Sequence, residues 1–262
     1  MIVIGELING MYKDVGKAIV SRETDVIQHL AEEQVKAGAN ALDVNTGPYS
    51  KNPADDMKWL VESIRKVVSV PLALDSTKLD VIEEGLKLAG RRAIINSTSA
   101  DYDKMNRVFG LAKKYDAQVI GLTMDKSGVP DSKDKRLELA AIIIAKAIDA
   151  GMKTEDIYLD PVVMPVNVAQ SQGREAIEAI REFMLLSDPA PQAVIGLSNV
   201  SQGAKPRSLI NRTFLAMAIA NGLTAAILDP LDSELMDAMI TAEVLRNKNI
   251  YCASYLEAYR KK

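Results

Sequence analysis

Cysteine and histidine are nearly missing from this chain: 262 residues hold one of each, Cys252 and His29. One cysteine cannot close an internal disulfide. A structural zinc site or an iron–sulfur cluster within the chain needs several thiolates or imidazoles, so both are excluded, and no bound metal is expected. His29 lies in the helical pattern Asp25-Val-Ile-Gln-His29-Leu-Ala-Glu-Glu33, far from any strand end. It is expected on a helix surface, which leaves a Ser-His-Asp or Cys-His machine without its base. An excess of one charge is also lacking, since 32 Lys and Arg face 35 Asp and Glu for a net −3. That balance gives no electrostatic footprint for nucleic acid. The one basic cluster, Arg260-Lys261-Lys262, is read as a solvated tail. No apolar run reaches the ~18–20 residues of a membrane span. Residues 1–10 lack a basic segment followed by an apolar one, so no secretory signal is read and a cytoplasmic protein is expected. Polar chemistry must then rest on Asp, Asn, Ser, Thr, Arg and Lys.

What is present is a strict alternation. Short apolar, β-branched runs start at Ile2, Ala41, Pro71, Ala93, Val119, Ile157, Ala193 and Ala226. Each is bounded by polar residues and nearly continuous in hydrophobicity, as strands buried on both faces of a parallel sheet are. Helical patterns separate them. Asn52-Pro53 supplies a cap with proline at the first helical position, and Asp55 and Asp56 load that first turn with negative charge. Helices Asp80–Ala89, Arg136–Ala150 and Leu209–Asn221 stop at Gly90, Gly151 and Gly222. Met105, Met184, Met217, Met236 and Met239 fall in helical patterns and are read as core filler. Eight strand–helix units without a linker or composition shift predict one α/β domain over residues 1–262, a (β/α)₈ TIM barrel. The competitor, a doubly wound sheet, would carry a glycine-rich phosphate turn after strand one. Gly5-Glu-Leu-Ile-Asn-Gly10 stands there instead.

A barrel builds its active site at the C-terminal ends of its strands. Those ends read Glu6 and Asn9; Asp43, Asn45 and Thr46; Asp75, Ser76 and Thr77; Asn96, Ser97 and Thr98. The remaining four read Thr123, Met124 and Asp125; Asp160; Ser198, Asn199, Ser201 and Gln202; and Asp229. Taken singly, an Asp or Asn in such a place is as readily a helix cap. Eight polar strand ends together point to a site. No strand carries a lysine for Schiff-base chemistry. Carboxylates and carboxamides suit a flat heterocycle with an amino group, a ring N–H and a ring carbonyl, such as the 2-amino-4-oxo edge of a pterin. A sugar could use the same acceptors, and chemistry alone leaves both open.

The same residues resemble the pterin-binding barrel family, which includes dihydropteroate synthase and the methyltetrahydrofolate-using methyltransferases. Asp43-Val-Asn45, Leu74-Asp-Ser-Thr77, Ile95-Asn-Ser97 and Tyr158-Leu-Asp-Pro161 are similar to its motifs on strands two, three, four and six. Gly196-Leu-Ser-Asn-Val-Ser-Gln202, with Arg207 and the helix from Asn211, resembles strand seven of the methyltransferase branch. The resemblance covers the whole chain. Departures from dihydropteroate synthase are specific: Asn45-Thr-Gly-Pro-Tyr-Ser50 replaces its Ser-Thr-Arg-Pro loop, Ser198-Asn-Val-Ser201 replaces its strand-seven lysine region, and its late Arg-x-His has no counterpart. The pattern is most similar to the free-standing methyltetrahydrofolate:corrinoid/iron–sulfur protein methyltransferases of the acetyl-CoA pathway.

That resemblance implies transfer of the N5 methyl of 5-methyltetrahydrofolate to the cobalt(I) corrinoid of a partner, a corrinoid/iron–sulfur protein, by a homodimeric enzyme. It implies that Asp75, Asn96 and Asp160 anchor the pterin edge and that Asn199 donates a hydrogen bond at N5. Ser198, Gln202 and Arg207 flank the ligand, and Asp43 and Asn45 complete the pocket floor. No residue reads as a general acid of matched proton affinity, so the proton at N5 is expected from solvent through the carboxylates. Two other readings stand beside this one: a dihydropteroate synthase-like enzyme, and a folate-binding barrel without chemistry. The aromatic stripe Tyr251, Tyr255, Leu256 and Tyr259 is read as intrachain packing, with a contact to a neighbouring copy as the alternative.

Overall fold

The apolar runs form eight parallel strands, each followed by one or two helices. The computed structural model describes residues 1–248 and 251. In chain order the elements are β1 (Ile2–Asn9), α1 (Lys13–Ser21), α2 (Thr24–Lys36), β2 (Ala41–Asn45), α3 (Pro53–Arg65), β3 (Leu72–Asp75), α4 (Leu79–Ala89), β4 (Ile94–Ser99) and α5 (Tyr102–Tyr115). They continue with β5 (Gln118–Leu122), α6 (Lys133–Asp149), β6 (Ile157–Asp160), α7 (Gln172–Phe183), β7 (Gln192–Gly196), α8 (Arg207–Ala220), β8 (Ala225–Leu228) and α9 (Ser233–Leu245). Each strand pairs with its sequence neighbours, and β1 closes on β8, giving a (β/α)₈ barrel.

Two apolar layers hold it. Outward-facing Leu42, Leu74, Ile95, Val119, Leu159 and Ile195 pack under the helix ring. Inward-facing Ile4, Ala41, Ala73, Ile94, Ile120, Tyr158, Val194 and Ala225 fill the lumen. The small alanines opposite bulky Ile4, Ile94 and Tyr158 let that inner layer interlock, so the barrel is plugged beneath its mouth.

Local details refine the sequence expectations. Strand seven stops at Gly196, and Leu197–Asn199 makes one 3₁₀ turn, so Ser198 lies beyond the strand. Strand one continues through Glu6 to Asn9, with an irregular register after Gly5. Helix α6 starts at Lys133, where the Ser132 hydroxyl accepts from the Lys135 N–H at 3.3 Å, and α8 starts at Arg207. Asn52 occupies its cap position, but its side chain makes no cap bond; its carbonyl accepts from the Asp56 N–H at 2.9 Å. Gly90, Gly151 and Gly222 all have positive φ at or just past their helix ends. His29 is exposed on α2. Met105, Met236 and Met239 are buried, while Met184 is partly buried. Met217 departs from the core reading at 51% exposure. It lines an apolar groove of about 520 Å³ between α7 and α8, with Ile177, Leu209 and Phe214, which none of the candidate site residues touches. Cys252, residues 255–259 of the aromatic stripe and the basic tail lie outside the described residues; Tyr251 is exposed.

The loops after β1 and β2 meet backbone to backbone. Gly10 N–H donates to the Asn45 carbonyl at 2.9 Å. A Cβ at Gly47 would overlap the Gly10 carbonyl, at a φ of +72°. Gly47→Ala is therefore expected to cost about 2–4 kcal/mol from overpacking and left-handed strain combined. Calorimetry should show melting lowered by about 5–10 °C; a wild-type melting temperature would refute this loop contact.

Candidate active site

Side chains alternate along a strand, so the residue two positions beyond each lumen residue also faces inward. Applied to the lumen set, the rule gives Glu6, Asp43, Asp75, Asn96, Leu122, Asp160, Gly196 and Ile227. Four carboxylates and one carboxamide thus project into a single bowl at the C-terminal mouth, with Leu122 and Ile227 as apolar wall. This brings the predicted residues of strands two, three, four and six together.

Hydrogen bonds link them. Asn96 Nδ2 donates to Asp43 Oδ1 at 2.9 Å. Asn45 Nδ2 donates to Asp75 Oδ2 at 2.6 Å, while Asn45 Oδ1 accepts from the Gly47 N–H at 2.7 Å. Asp43, at 3% exposure, lies deep, as a floor residue should. Asn45 does not: it stands higher on the wall, and both ends of its amide are engaged in fixing Asp75 and the β2 loop. Asp160 Oδ1 accepts from the Val162 N–H at 2.7 Å, and the Gly196 N–H also supports this carboxylate.

Burial sets the proton affinities. Desolvation pushes the Asp160 carboxyl up to about 7, against its two backbone N–H bonds and the Arg136 charge. Asp43 is raised well above the usual range by desolvation and by the facing Asp75, and Asp75 is raised by desolvation. Asp43, the deeper of the pair, is the one pushed further up, since it is fully desolvated and faces a second carboxyl. The raised Asp160 carboxyl departs from the expectation that no residue reads as a general acid of matched proton affinity. The sequence shows which carboxyls share a strand end but not how little water reaches them.

The seventh strand supplies the other wall. Ser198 Oγ donates to Glu6 Oε1 at 2.6 Å. Arg207 Nε donates to Ser201 Oγ at 3.1 Å and Nη2 to the Ser198 carbonyl at 3.2 Å, fixing the turn that presents Asn199. Asn199 is exposed at the mouth. Its side chain makes none of these bonds, and a Cβ at Gly196 would sit 3.0 Å from Asn199 Nδ2. Glycine there leaves the amide room over the bowl. Gln202 is exposed one turn further on, its N–H bonded to the Asn199 carbonyl at 3.2 Å.

Two residues received no role from the sequence. Glu6 sits in the bowl between Ser198, Arg207 and Asp229, with its carboxyl raised by desolvation. Its spacing from Ile4 was the available signal. Tyr12 faces Glu6, Asp229 and Arg207, and burial with the two negative charges pushes its hydroxyl up to about 12. Its position in a loop gave no periodicity to read. Among the described residues, no cluster of three or more His, Cys, Asp or Glu is arranged to hold a metal ion.

The family model for pterin binding enzymes matches residues 14–229. This chain belongs to that family. As a pterin-binding enzyme it is 28% identical to the methylcorrinoid:tetrahydrofolate methyltransferase of Eubacterium limosum, over 99% of this chain and 96% of that one. It is 30% identical to the methionine synthase of Mycobacterium leprae over 87% of this chain, which spans only 20% of that much longer protein. Among solved structures, Yersinia pestis dihydropteroate synthase with a pterine–sulfa conjugate superposes at a TM-score of 0.69 and 17% identity, covering 95% of this chain and 94% of that one. The Clostridium difficile dihydropteroate synthase in the presence of pteroic acid gives 0.65 and 21%, covering 94% and 96%. At these identities the likeness of the pterin-binding enzyme to both structures is one of fold.

Proposed function

We propose that this pterin-binding enzyme moves the N5 methyl group between 5-methyltetrahydrofolate and a protein-bound corrinoid, in the direction of the corrinoid. The observation that carries this reading is the inward ring of Asp43, Asp75, Asn96 and Asp160, with an Asn199 amide that has no hydrogen-bond partner among the described residues. A carboxylate offers about four lone-pair positions, so Asp160 retains acceptors for a ring N–H and an exocyclic amine beside its backbone bonds. Asp75, steered by Asn45, supplies a second acceptor. Asn96 adds a carbonyl oxygen, its nitrogen being engaged with Asp43. Leu122 and Ile227 give a flat ring an apolar wall. A pterin therefore fits the donor and acceptor set present.

The methyl acceptor, a cobalt(I) corrinoid carried by a partner protein, is the second substrate and supplies the nucleophile. A tertiary amine leaves poorly unless N5 gains positive character. In this reading Asn199 donates to N5, a bond that strengthens as the C–N electron pair returns to nitrogen. Asp160 and Asp75 hold the ring still so that the methyl faces the open mouth, which lowers the entropic part of the barrier. The buried carboxyls with raised proton affinity form a reservoir next to the ring through which solvent protons reach it. The same groups serve the reverse direction, the one in the name of the Eubacterium relative.

The resemblance of the Gly196–Gln202 turn to the free-standing methyltransferases supports a corrinoid/iron–sulfur protein as partner, the acetyl-CoA pathway as setting, a homodimer and a cytoplasmic location. Among the described residues no helix is long and apolar enough to cross a membrane. The reading is tested by following the absorbance of cob(I)alamin, and of a reduced corrinoid/iron–sulfur protein, on adding 5-methyltetrahydrofolate. Loss of the cobalt(I) band is expected. Persistence of the band with both acceptors, although folate binds, would leave a non-catalytic binding barrel. Pyrophosphate release from a pterin pyrophosphate and p-aminobenzoate would favour the synthase reading.

A further inference from the structure

Behind Asp160 lies a guanidinium that the chemistry above does not use. Arg136, in the first turn of α6, is fully buried. Its Nε donates to the Pro161 carbonyl at 2.7 Å and its Nη2 to Gln172 Oε1 at 2.7 Å, while Nη1 has no partner among the described residues. Gln172 is held in turn, donating to the Asp131 carbonyl at 3.0 Å and to its carboxylate at 3.1 Å. Burying a charge on two neutral oxygens is a poor way to stabilise a fold, since desolvation is not offset by a paired carboxylate. The arrangement acquires a purpose at the next residues. Val162 has φ +60°, a conformation that a β-branched residue rarely adopts. It is this turn that points the Val162 N–H back at Asp160 Oδ1. Strained backbone persists only where its surroundings over-determine it, and the Arg136 bond to the intervening carbonyl does so.

We propose that Arg136 is a positioning residue for the site: by gripping the Pro161 carbonyl it holds the Asp160–Val162 turn so that the Asp160 carboxylate stays fixed in the bowl. The charged groups facing this junction are Arg136 from α6, Asp131 from the loop before it and Glu175 from α7. The neighbouring strands present Thr123 and Gly196, which do not titrate. The consequence for ligand rests on the pterin reading of Asp160; the clamp itself does not.

The two are separated by measuring the free protein and the complex. In the free protein with ¹³C-labelled aspartate, the Asp160 carboxyl resonance is identified by its loss in Asp160→Asn. Arg136→Met is expected to move its titration upward by about one pH unit. Should that variant not fold, Arg136→Lys serves. It keeps the charge but cannot hold both oxygens, and a smaller upward move with a broadened Val162 amide resonance is expected. A titration that stays in place in whichever variant folds overturns the proposal. In the complex, Arg136→Lys is expected to weaken 5-methyltetrahydrofolate binding about tenfold in the wild-type background and by less than twofold in Asp160→Asn, because neighbours acting through one group are not additive. An equal loss in both backgrounds overturns the proposal by showing a general structural effect. A moved titration with unchanged binding in every variant would instead reject Asp160 as a pterin anchor and leave the clamp standing.

Discussion

Asn199→Ala is expected to slow methyl transfer by about 10²–10³-fold, the usual cost of deleting one preorganised donor aimed at developing charge. The structure sharpens that expectation in two ways. Asn199 is exposed and its amide has no hydrogen-bond partner among the described residues, while Arg207 and Ser201 hold the backbone of its turn. Removing the amide should therefore leave the melting temperature within about 1 °C, as surface substitutions do. In the proposed binding mode Asp75, Asn96 and Asp160 grip the pterin edge on the far side of the bowl, so folate affinity should change less than threefold. Single-turnover kinetics with saturating folate, beside calorimetric binding and melting curves, give all three quantities. A variant that transfers methyl at the wild-type rate would remove Asn199 from the chemistry. One that binds folate a hundredfold more weakly would make it an anchor instead of a transition-state donor. Asn199→Asp is the complementary substitution: an ionised carboxylate cannot donate to N5, so it should be as slow as alanine above the acid's titration range.

Much of this geometry was legible in the chain before any coordinates. The eight strands follow from short β-branched runs, and the barrel follows from their count and spacing. The rim residues follow from a simple alternation, since Asp43, Asp75, Asn96 and Asp160 each stand two positions beyond an apolar lumen residue. Glu6 obeys the same rule from Ile4 and needed only its application. What stayed hidden depends on three-dimensional surroundings. Which way the Asn45 amide points is decided by the Gly47 N–H and by Asp75, partners on two different segments. The raised carboxyl of Asp160 comes from burial, and no strand-end pattern measures depth below the mouth. Arg136 reads as an ordinary charged residue in the first turn of a helix. Only the packing of α6 against α7 and the loop after β6 reveals that it is enclosed. Met217 shows the converse: its helical spacing is that of a core residue, yet the stripe it belongs to faces the groove between α7 and α8.

Asp160→Asn is expected to make the unliganded protein more stable and the enzyme much worse. The folded carboxyl titrates near 7 instead of the ordinary 3.8. A raised folded value means that protonation favours the native state. That contribution is fully present below the unfolded value near pH 4 and is lost as pH rises through 7. Above pH 8 the gap between 7 and 3.8 corresponds to on the order of 4 kcal/mol. Asparagine carries no charge to desolvate, so it escapes this cost, although its N–H₂ must find acceptors where a carboxylate accepted two N–H bonds. A net gain of about 2 kcal/mol remains at pH 8.5, which for a chain of this size raises melting by about 4–8 °C. At pH 5 the folded acid is neutral but the unfolded chain still gains on the order of 2 kcal/mol by ionising above 3.8, which the cost of placing the amide offsets, so the two melting temperatures should converge. Function moves the other way. In the proposed binding mode, two hydrogen bonds from a pterin to a charged acceptor, at ~1.5–3 kcal/mol each, become at best one bond to a neutral carbonyl opposite a competing donor. Folate affinity should fall about 10²–10⁴-fold at pH 8. Wild-type affinity should itself decline as pH drops below 7, because the free protein must then give up a proton before it can accept. Melting curves at pH 5 and 8.5, with folate titrations at both, test each part. An unchanged pH slope of stability would show that Asp160 is ionised at little cost, and unchanged affinity would place the pterin elsewhere. If both changes occur together, the bowl keeps an uncomfortable charge because the ligand needs it, and the loss of stability between pH 5 and 8 is the thermodynamic trace of a site built for an amine-bearing ring.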